Sequence, residues 1–286
     1  MPALAAVGIG LAMLCALVYG CADFCGGKAT RHVHSATVAF TSQLAGLAIV
    51  LVLAPIVPSD GLTWRAAIAG SAGGAAGVVG IMCLYHALAI GTMSVVSPVT
   101  AVVSAVVPVG VGLAIGETLS PLAGLGVAAG LAAIVLVSMA TGSGVPANRT
   151  AVWFALAAGT GFGLFFVALA RSGDEPGLWP LVFARIVSIA IAAAVARRAG
   201  AALLASRAHW PIVLAAGVLD MAANVLFLYA ALRADLAIVS VISAMYPGST
   251  VALARLVDGE RLTVWQRVGL GVALVAVGTM AYASNS

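Results

Sequence analysis

The fold of this chain is decided by the segment Leu214–Leu262, LAAGVLDMAANVLFLYAALRADLAIVSVISAMYPGSTVALARLVDGERL. It holds two long apolar stretches, with Asp220 inside the first and Pro247 inside the second, and it ends in a short acidic turn. A weaker copy runs from Gly70 to Leu119, in which Tyr85-His-Ala-Leu and Gly116-Glu117 take the places of Tyr229-Ala-Ala-Leu and Gly259-Glu260. This internal duplication indicates that the chain is built from two related halves.

The composition is that of a membrane protein. The chain has 286 residues, of which 63% are hydrophobic and 8% charged, whereas a soluble domain carries about 25% charged residues. A helix needs roughly 20 apolar residues to cross about 30 Å of hydrocarbon. Ten such stretches are present, and they predict an all-α polytopic membrane protein with ten transmembrane helices, at 3–22, 35–56, 64–86, 92–115, 121–140, 151–170, 178–196, 210–232, 236–256 and 264–283.

The most polar linker, TGSGVPANRT at 141–150, is the natural boundary between the halves. It separates a first repeat at 1–140 from a second at 151–286, each with five predicted spans. Because five is odd, the second repeat enters the membrane in the opposite orientation. Inverted repeats of this kind place the binding site of many secondary transporters near the middle of the membrane.

The loop charges agree with this inversion. The loops after odd-numbered spans hold most of the basic residues, and the even-numbered loops hold only Arg65, Arg171 and Arg233. Under the positive-inside rule this distribution places both termini outside the cell.

Asp220 is the strongest candidate for a functional residue, because it lies about ten residues from either end of its predicted span. A charge at that depth costs roughly 2.5–3.5 kcal/mol on insertion scales, so it faces a partner or a wet cavity. Asn224 lies one turn further along the same face. Either the two line a cation or proton site, or Asp220 pairs structurally with Arg185. Both roles are compatible in a site that holds a zwitterion between Arg185 and Asp220.

Further polar side chains lie within or near the predicted spans. Asp23 contacts substrate or serves a capping or snorkelling role with nearby Lys28, and Gln43 is either a site residue or part of a hydrogen bond between helices. The remaining candidates lie near span ends, where rings anchor at the interface and a histidine is often solvated: Tyr85, Tyr229 and His86.

Proline inside a span frees backbone carbonyls, which are tolerated only against protein or a water-filled cavity. Pro98, Pro108 and Pro247 are therefore candidates for helix kinks that gate the cavity, or simply for helix shaping. Glu117 and Glu260 precede helix N-termini, where negative charge is favourable, and we expect both to be structural.

The pattern D-x-x-A-N-x-x-F-x-Y-A-A-L-R, followed by S-V-I-S-A-M-Y-P-G-S-T-V-A-L-A-R and G-E-R-L-x-x-x-Q-R-x-G, resembles the second EamA repeat of the drug/metabolite transporter superfamily. The first half is similar through Tyr19-Gly20, Ser97-Pro98 and Gly116-Glu117, although Tyr19 replaces the usual tryptophan. Gln43 stands where these repeats often carry arginine, which Arg185 keeps. The resemblance implies two inverted five-helix units around a central cavity, transport or export of small metabolites, amino acids or drugs, and cytoplasmic termini.

We therefore expect a secondary transporter of the plasma membrane, in contact with lipid, a small-molecule substrate and, at Asp220, protons. An intramembrane enzyme acting on a lipid-linked substrate is the alternative, but no H-E-x-x-H or G-x-S-x-G is present. A passive channel or scaffold is a third possibility, and the absence of a charged ring argues against an ion channel. No P-loop or metal-ligand cluster is found, so we expect no cofactor and no metal. The basic residues behind the net charge of +4 lie in short loops between spans, so we expect no nucleic-acid partner.

Overall fold

The computed structural model of the protein describes residues 2–30, 32–90, 93–138, 149–258 and 263–284. These residues form eleven α-helices and a 3-10 turn at Arg207–His209. The helices are α1 (Pro2–Thr30), α2 (Ser35–Leu53), α3 (Trp64–Ile90), α4 (Met93–Ala114), α5 (Pro121–Ser138), α6 (Arg149–Ala170), α7 (Trp179–Arg198), α8 (Trp210–Ala231), α9 (Leu236–Ser243), α10 (Pro247–Asp258) and α11 (Val264–Ala283). Most of the predicted linker, Glu260, and the side chains of Tyr85 and Pro98 lie outside the described part.

Eight of these helices are long and apolar enough to cross a membrane, namely α1, α2, α3, α5, α6, α7, α8 and α11. Two shorter apolar segments, Val99–Ala114 and Leu236–Thr250, lie where the sequence predicts the fourth and ninth spans. The chain is therefore a multi-pass integral membrane protein.

The predicted ninth span is broken in the middle. Helix α9 ends at Ser243 and α10 begins at Pro247, and between them the N–H groups of Met245 and Tyr246 donate to the carbonyls three residues earlier at 3.1 and 3.3 Å. Proline has no N–H and its ring clashes with the carbonyl one turn back, so a helix tolerates it best at its first position. By contrast, Pro108 lies within the continuous helix α4.

Helix α1 also differs from the prediction, because it continues to Thr30 rather than ending near residue 22. The apolar pattern stops at Asp23, and Gly26 and Gly27 have low helical propensity, but the buried Ala29 belongs to a cluster with Val38 of α2 and Val213 of α8 near the end of the helix. Asp23 is therefore inside the helix instead of at its end.

The helices pack in matched sets. Helix α3 packs against α6 and α7, while α8 packs against α1 and α2; α4 contacts α6, as α10 contacts α1. Helices α5 and α11 pack on each other, and α2 contacts α7. We match α1 to α5 in order with α6, α7, α8, α9–α10 and α11. Each of these contacts that a helix of the first set makes is then repeated by the matching helix of the second set.

The connections sort to two ends of the bundle. At one end the Asp60 N–H donates to the Glu175 carbonyl at 3.0 Å, and the Glu117 carboxylate accepts from the N–H groups of Leu236 and Ala237 at 2.8 and 3.1 Å. At the other end the rings of His32 and His209 stack with centroids 5.8 Å apart. Glu117 thus caps the start of α9 rather than that of α5, the helix that follows it, and its negative charge is favourable there.

The glycines of α3 serve two packing faces. A Cβ on Gly70 or Gly74 would lie 2.2 or 2.3 Å from a backbone oxygen of α7, and Gly73 and Gly77 face the Phe165 ring of α6. Small residues allow this close approach of helices within a membrane, where hydrophobic burial does not drive association. The two rows of glycine therefore fix α3 between α6 and α7.

We predict that Gly74→Ala destabilises the protein, because the new methyl group would overlap the Ala184 carbonyl and overpacking costs about 1–3 kcal/mol. Thermal unfolding in detergent should show a lower Tm. Gly278→Ala in α11 is the matched control, since nothing lies within 4 Å of a Cβ at that position. An equal Tm for the two variants would show that α3 and α7 are not in close contact.

Candidate functional site

The centre of the site is the guanidinium group of Arg185, which reaches from α7 to two other helices. One nitrogen donates to the Gln43 side-chain oxygen on α2, and the other pairs with the Asp220 carboxylate on α8. The Arg185 side chain is 9% exposed and that of Asp220 is 38% exposed. The planar fork of arginine donors suits such a bridge, because two partners can be held in fixed directions.

Two glycines make room for this bridge. A Cβ on Gly46 of α2 would lie 3.2 Å from Arg185 Nε, and a Cβ on Gly217 of α8 would lie 2.2 Å from the Ser42 carbonyl oxygen. Helices α2 and α8 can therefore approach closely on either side of the arginine.

A second set of hydrogen bonds extends the network from α8 to α1. The Asn224 amide donates to the backbone carbonyl of Asp220 at 2.7 Å and to its carboxylate at 3.2 Å. Its oxygen accepts a 2.9 Å hydrogen bond from the Tyr19 hydroxyl. Gln43, Arg185, Asp220, Asn224 and Tyr19 thus form one connected group, which we name the polar network.

Four of these five residues, all except Tyr19, are predicted from the sequence as site candidates. The signal that identifies Tyr19 is its position one helical turn before Asp23, on the same face of α1. In the sequence, Tyr19 is notable only because it stands where related repeats carry tryptophan.

The break between α9 and α10 lies next to the polar network. The rings of Tyr246 and Tyr19 have centroids 6.2 Å apart, and Tyr19 lies at the same distance from Phe166 of α6. Hydroxyl groups of α10 bind α1, where Ser249 donates to the Ala16 carbonyl at 2.9 Å and Thr250 to the Gly20 carbonyl at 3.3 Å. The start of α10 is therefore joined to the helix that carries Tyr19.

Asp23 lies one turn beyond Tyr19 on α1 and is exposed. It therefore lies on the face of α1 that carries Tyr19, whose ring packs near that of Tyr246. Within the described residues, it has neither an ion pair nor a hydrogen bond through its side chain. Nearby Lys28 lies over the Phe24 ring, with its Nζ 4.8 Å from the centroid.

The other candidates lie away from the polar network. The Tyr229 carbonyl accepts from Arg233 Nη1 at 2.9 Å, and its ring lies 5.2 Å from that guanidinium, at the end of α8. His86 is exposed and packs edge-on against Phe154, with ring centroids 4.3 Å apart. The structure does not bring these two residues to the same place as Arg185 and Asp220.

No group of three or more histidine, cysteine or acidic side chains able to hold a metal ion occurs among the described residues. The four cysteines are free thiols, and Cys15 is buried and donates to the Ala223 carbonyl at 3.3 Å. What the polar network can do chemically is bind charged and hydrogen-bonding groups.

A crevice of about 410 Å³ lies on another side of the α9–α10 break, between α1, α5, α10 and α11. Its lining is almost entirely apolar, and the side chains at its mouth include the exposed Leu17 and Leu274. It has no charged side chain and is separate from the polar network.

The fold and the network together define a helical membrane protein with a charged cluster between its two sets of helices. The profile of the EamA-like transporter family matches this chain twice, over residues 6–139 and 149–282. The chain belongs to the EamA-like transporter family and contains two EamA repeats, which confirms the resemblance noted in its motifs.

Structural comparison supports the same fold. A crystal structure of a protein with 17% sequence identity superposes with a TM-score of 0.76 and covers 95% of this chain and 95% of its own. No curated protein sequence matches the chain.

We predict that Arg185 and Asp220 are strongly coupled in stability. Asp220→Asn leaves a buried guanidinium without its counter-ion, and Arg185→Gln leaves the carboxylate uncompensated; the loss of one partner of a buried pair is costly. The double variant removes both charges. Unfolding in SDS should therefore give a double-mutant coupling of about 1–3 kcal/mol. Additive effects of the two substitutions would contradict the ion pair.

Proposed function

We propose that this protein is a secondary transporter that moves a small metabolite, such as an amino acid, an amine or a drug-like solute, across the plasma membrane. It acts as an exporter and works by alternating access around a cavity between the repeats. The observation that carries this proposal is the polar network, in which a buried arginine and a partly exposed aspartate meet inside the membrane. Ionisable residues at that depth mark substrate or ion pathways.

The proposal includes ten membrane crossings in two inverted halves. Eight helices have the length and composition of spans, and α4 and the broken α9–α10 unit supply the other two crossings. The reciprocal packing of the helices and the sorting of the connections to two ends support this topology. Gln43 and Arg185 occupy corresponding places on α2 and α7, so their hydrogen bond lies where the two halves meet.

The two ends of the bundle differ in how the helices around the polar network are held together. Glu117 on the α4–α5 connection holds the start of α9, and a Cβ on Gly8 of α1 would lie 2.7 Å from Ala234. These contacts hold the helices together at the end of the bundle that contains the loops after α2, α4, α6 and α8. Asp23, by contrast, lies seven residues before the other end of α1, a distance of roughly 10 Å along the helix. We infer that the site opens toward the loops after α1 and α7.

Alternating access requires an element with two arrangements. The α9–α10 break is the best candidate, because its Tyr246 contacts Tyr19 and both flanking helices pack on α1, the helix that carries Tyr19. In this scheme Asp220 carries the substrate- or proton-binding step, and release of its bond to Arg185 accompanies exchange. The break leaves backbone N–H and C=O groups without helical hydrogen bonds. In a membrane such groups are tolerated only where protein or a water-filled cavity surrounds them.

The test is radiolabelled counterflow in proteoliposomes, with a pool of amino acids and small amines. We predict saturable exchange by the wild type and loss of at least about 90% of it in Asp220→Asn, because a neutral amide cannot form the ion pair or carry a proton. Asp174→Asn is the matched control, since that residue is exposed on the α6–α7 loop.

Equal exchange by wild type and Asp220→Asn would keep the transporter and remove Asp220 from its mechanism. Flux that grows linearly with solute concentration would indicate a passive channel. Absence of exchange with every solute, in protein that is folded, would contradict the proposal.

A further inference from the structure

The charges of the site do not balance. Arg185 contributes one positive charge, which the Asp220 carboxylate already compensates. Asp23 adds a second carboxylate, which is exposed and lies one helical turn beyond Tyr19, a member of the polar network. Among these three groups the formal charge is therefore negative by one. A carboxylate without a cation inside a membrane span is costly, and such residues face a partner or a water-filled cavity.

Aromatic rings cluster around Tyr19, one helical turn before the unbalanced carboxylate. Tyr19 lies one turn before Asp23, and its ring is inclined by 58° to that of Tyr246 and by 59° to that of Phe166. The bond from the Tyr19 hydroxyl to Asn224 fixes the tyrosine in place. The ring of Tyr246 thus lies beside the face of α1 that carries both Tyr19 and Asp23. Faces of such rings attract cations through their quadrupole, most strongly where water is excluded.

We propose that this site binds an organic cation, an amine or quaternary ammonium, with its charge near Asp23 and its apolar part against the rings of Tyr19 and Tyr246. The inference deepens the proposed transport function and rests on it. The bound cation neutralises the charge of Asp23, as Arg185 neutralises that of Asp220. It needs no hydrogen bond, so the permanently charged quaternary ammonium group is accepted as well as a protonated amine.

An anionic substrate is a poorer fit to the same residues. It would approach two carboxylates, and the guanidinium that could attract it already donates to Gln43 and Asp220. A zwitterion would have to displace Asp220 from Arg185 to bind its own carboxylate. Asp23 would then remain uncompensated unless the ammonium group moved to it.

The experiment measures binding of radiolabelled benzyltrimethylammonium to the full-length protein in lipid nanodiscs. Competitors of similar size separate the charge classes: neopentylbenzene is the neutral isostere, phenylacetate the anion and phenylalanine the zwitterion. We expect unlabelled benzyltrimethylammonium to compete at least about tenfold better than the other three. Asp23→Asn should weaken binding of the cation at least about tenfold, whereas Asp174→Asn should leave it unchanged.

Tyr246 provides a second test that keeps every charge in place. Tyr246→Phe retains the ring face and should bind the cation several-fold more tightly than Tyr246→Leu, which removes the ring. This pair remains informative if Asp23→Asn does not fold. Equal binding by both Tyr246 variants would remove the ring from the site.

The proposal is overturned if neopentylbenzene or phenylalanine competes as well as the cation, or if folded Asp23→Asn binds the cation normally. Counterflow distinguishes this failure from that of the transport proposal. Exchange of amino acids without binding or exchange of benzyltrimethylammonium would keep the transporter and reject the cation. Binding of the cation at Asp23 without exchange of any solute would keep the cation site and reject transport.

Discussion

The rest of the structure depends on the need to compensate one buried positive charge. An arginine within the membrane must find partners inside the protein, because lipid offers none. Arg185 finds them on α2 and α8, so a single side chain fixes the relative positions of three helices. The glycines at positions 46 and 217 are the geometric consequence, since larger residues would separate the helices that the guanidinium joins.

The two repeats use the same packing but different chemistry. By the alignment of Tyr85 with Tyr229, the counterparts of Asp220 and Asn224 on α3 are Ala76 and Gly80. A Cβ on Gly80 would lie 3.0 Å from the Phe162 ring and 3.0 Å from the Ala158 carbonyl. The space beside α3 thus holds small residues and a ring, whereas the space beside α8 holds carboxylate, amide and hydroxyl groups. The polar network takes Arg185, Asp220 and Asn224 from the second repeat and Tyr19 and Gln43 from the first.

Much of the fold can be predicted from the sequence, because a span is defined by its length of apolar residues. The site is predicted in part: Asp220 and Asn224 share a face by helical spacing, and Arg185 is anticipated as a partner of Asp220. The role of Tyr19 and the capping of α9 by Glu117 depend on contacts between distant helices, which periodicity does not encode. The length of α1 is missed for a related reason, because the apolar pattern ends at Asp23 whereas the helix continues to Thr30.

The central claim is that Arg185 and Asp220 form an ion pair inside the membrane. Solid-state NMR of the protein in lipid bilayers can test it directly, by measuring dipolar coupling between ¹⁵N-labelled arginine guanidinium groups and ¹³C-labelled aspartate carboxylates. We predict an arginine–aspartate contact that disappears in Arg185→Gln and also in Asp220→Asn, but persists in Asp174→Asn. Absence of that contact in the wild type, or its survival in Arg185→Gln, would contradict the account.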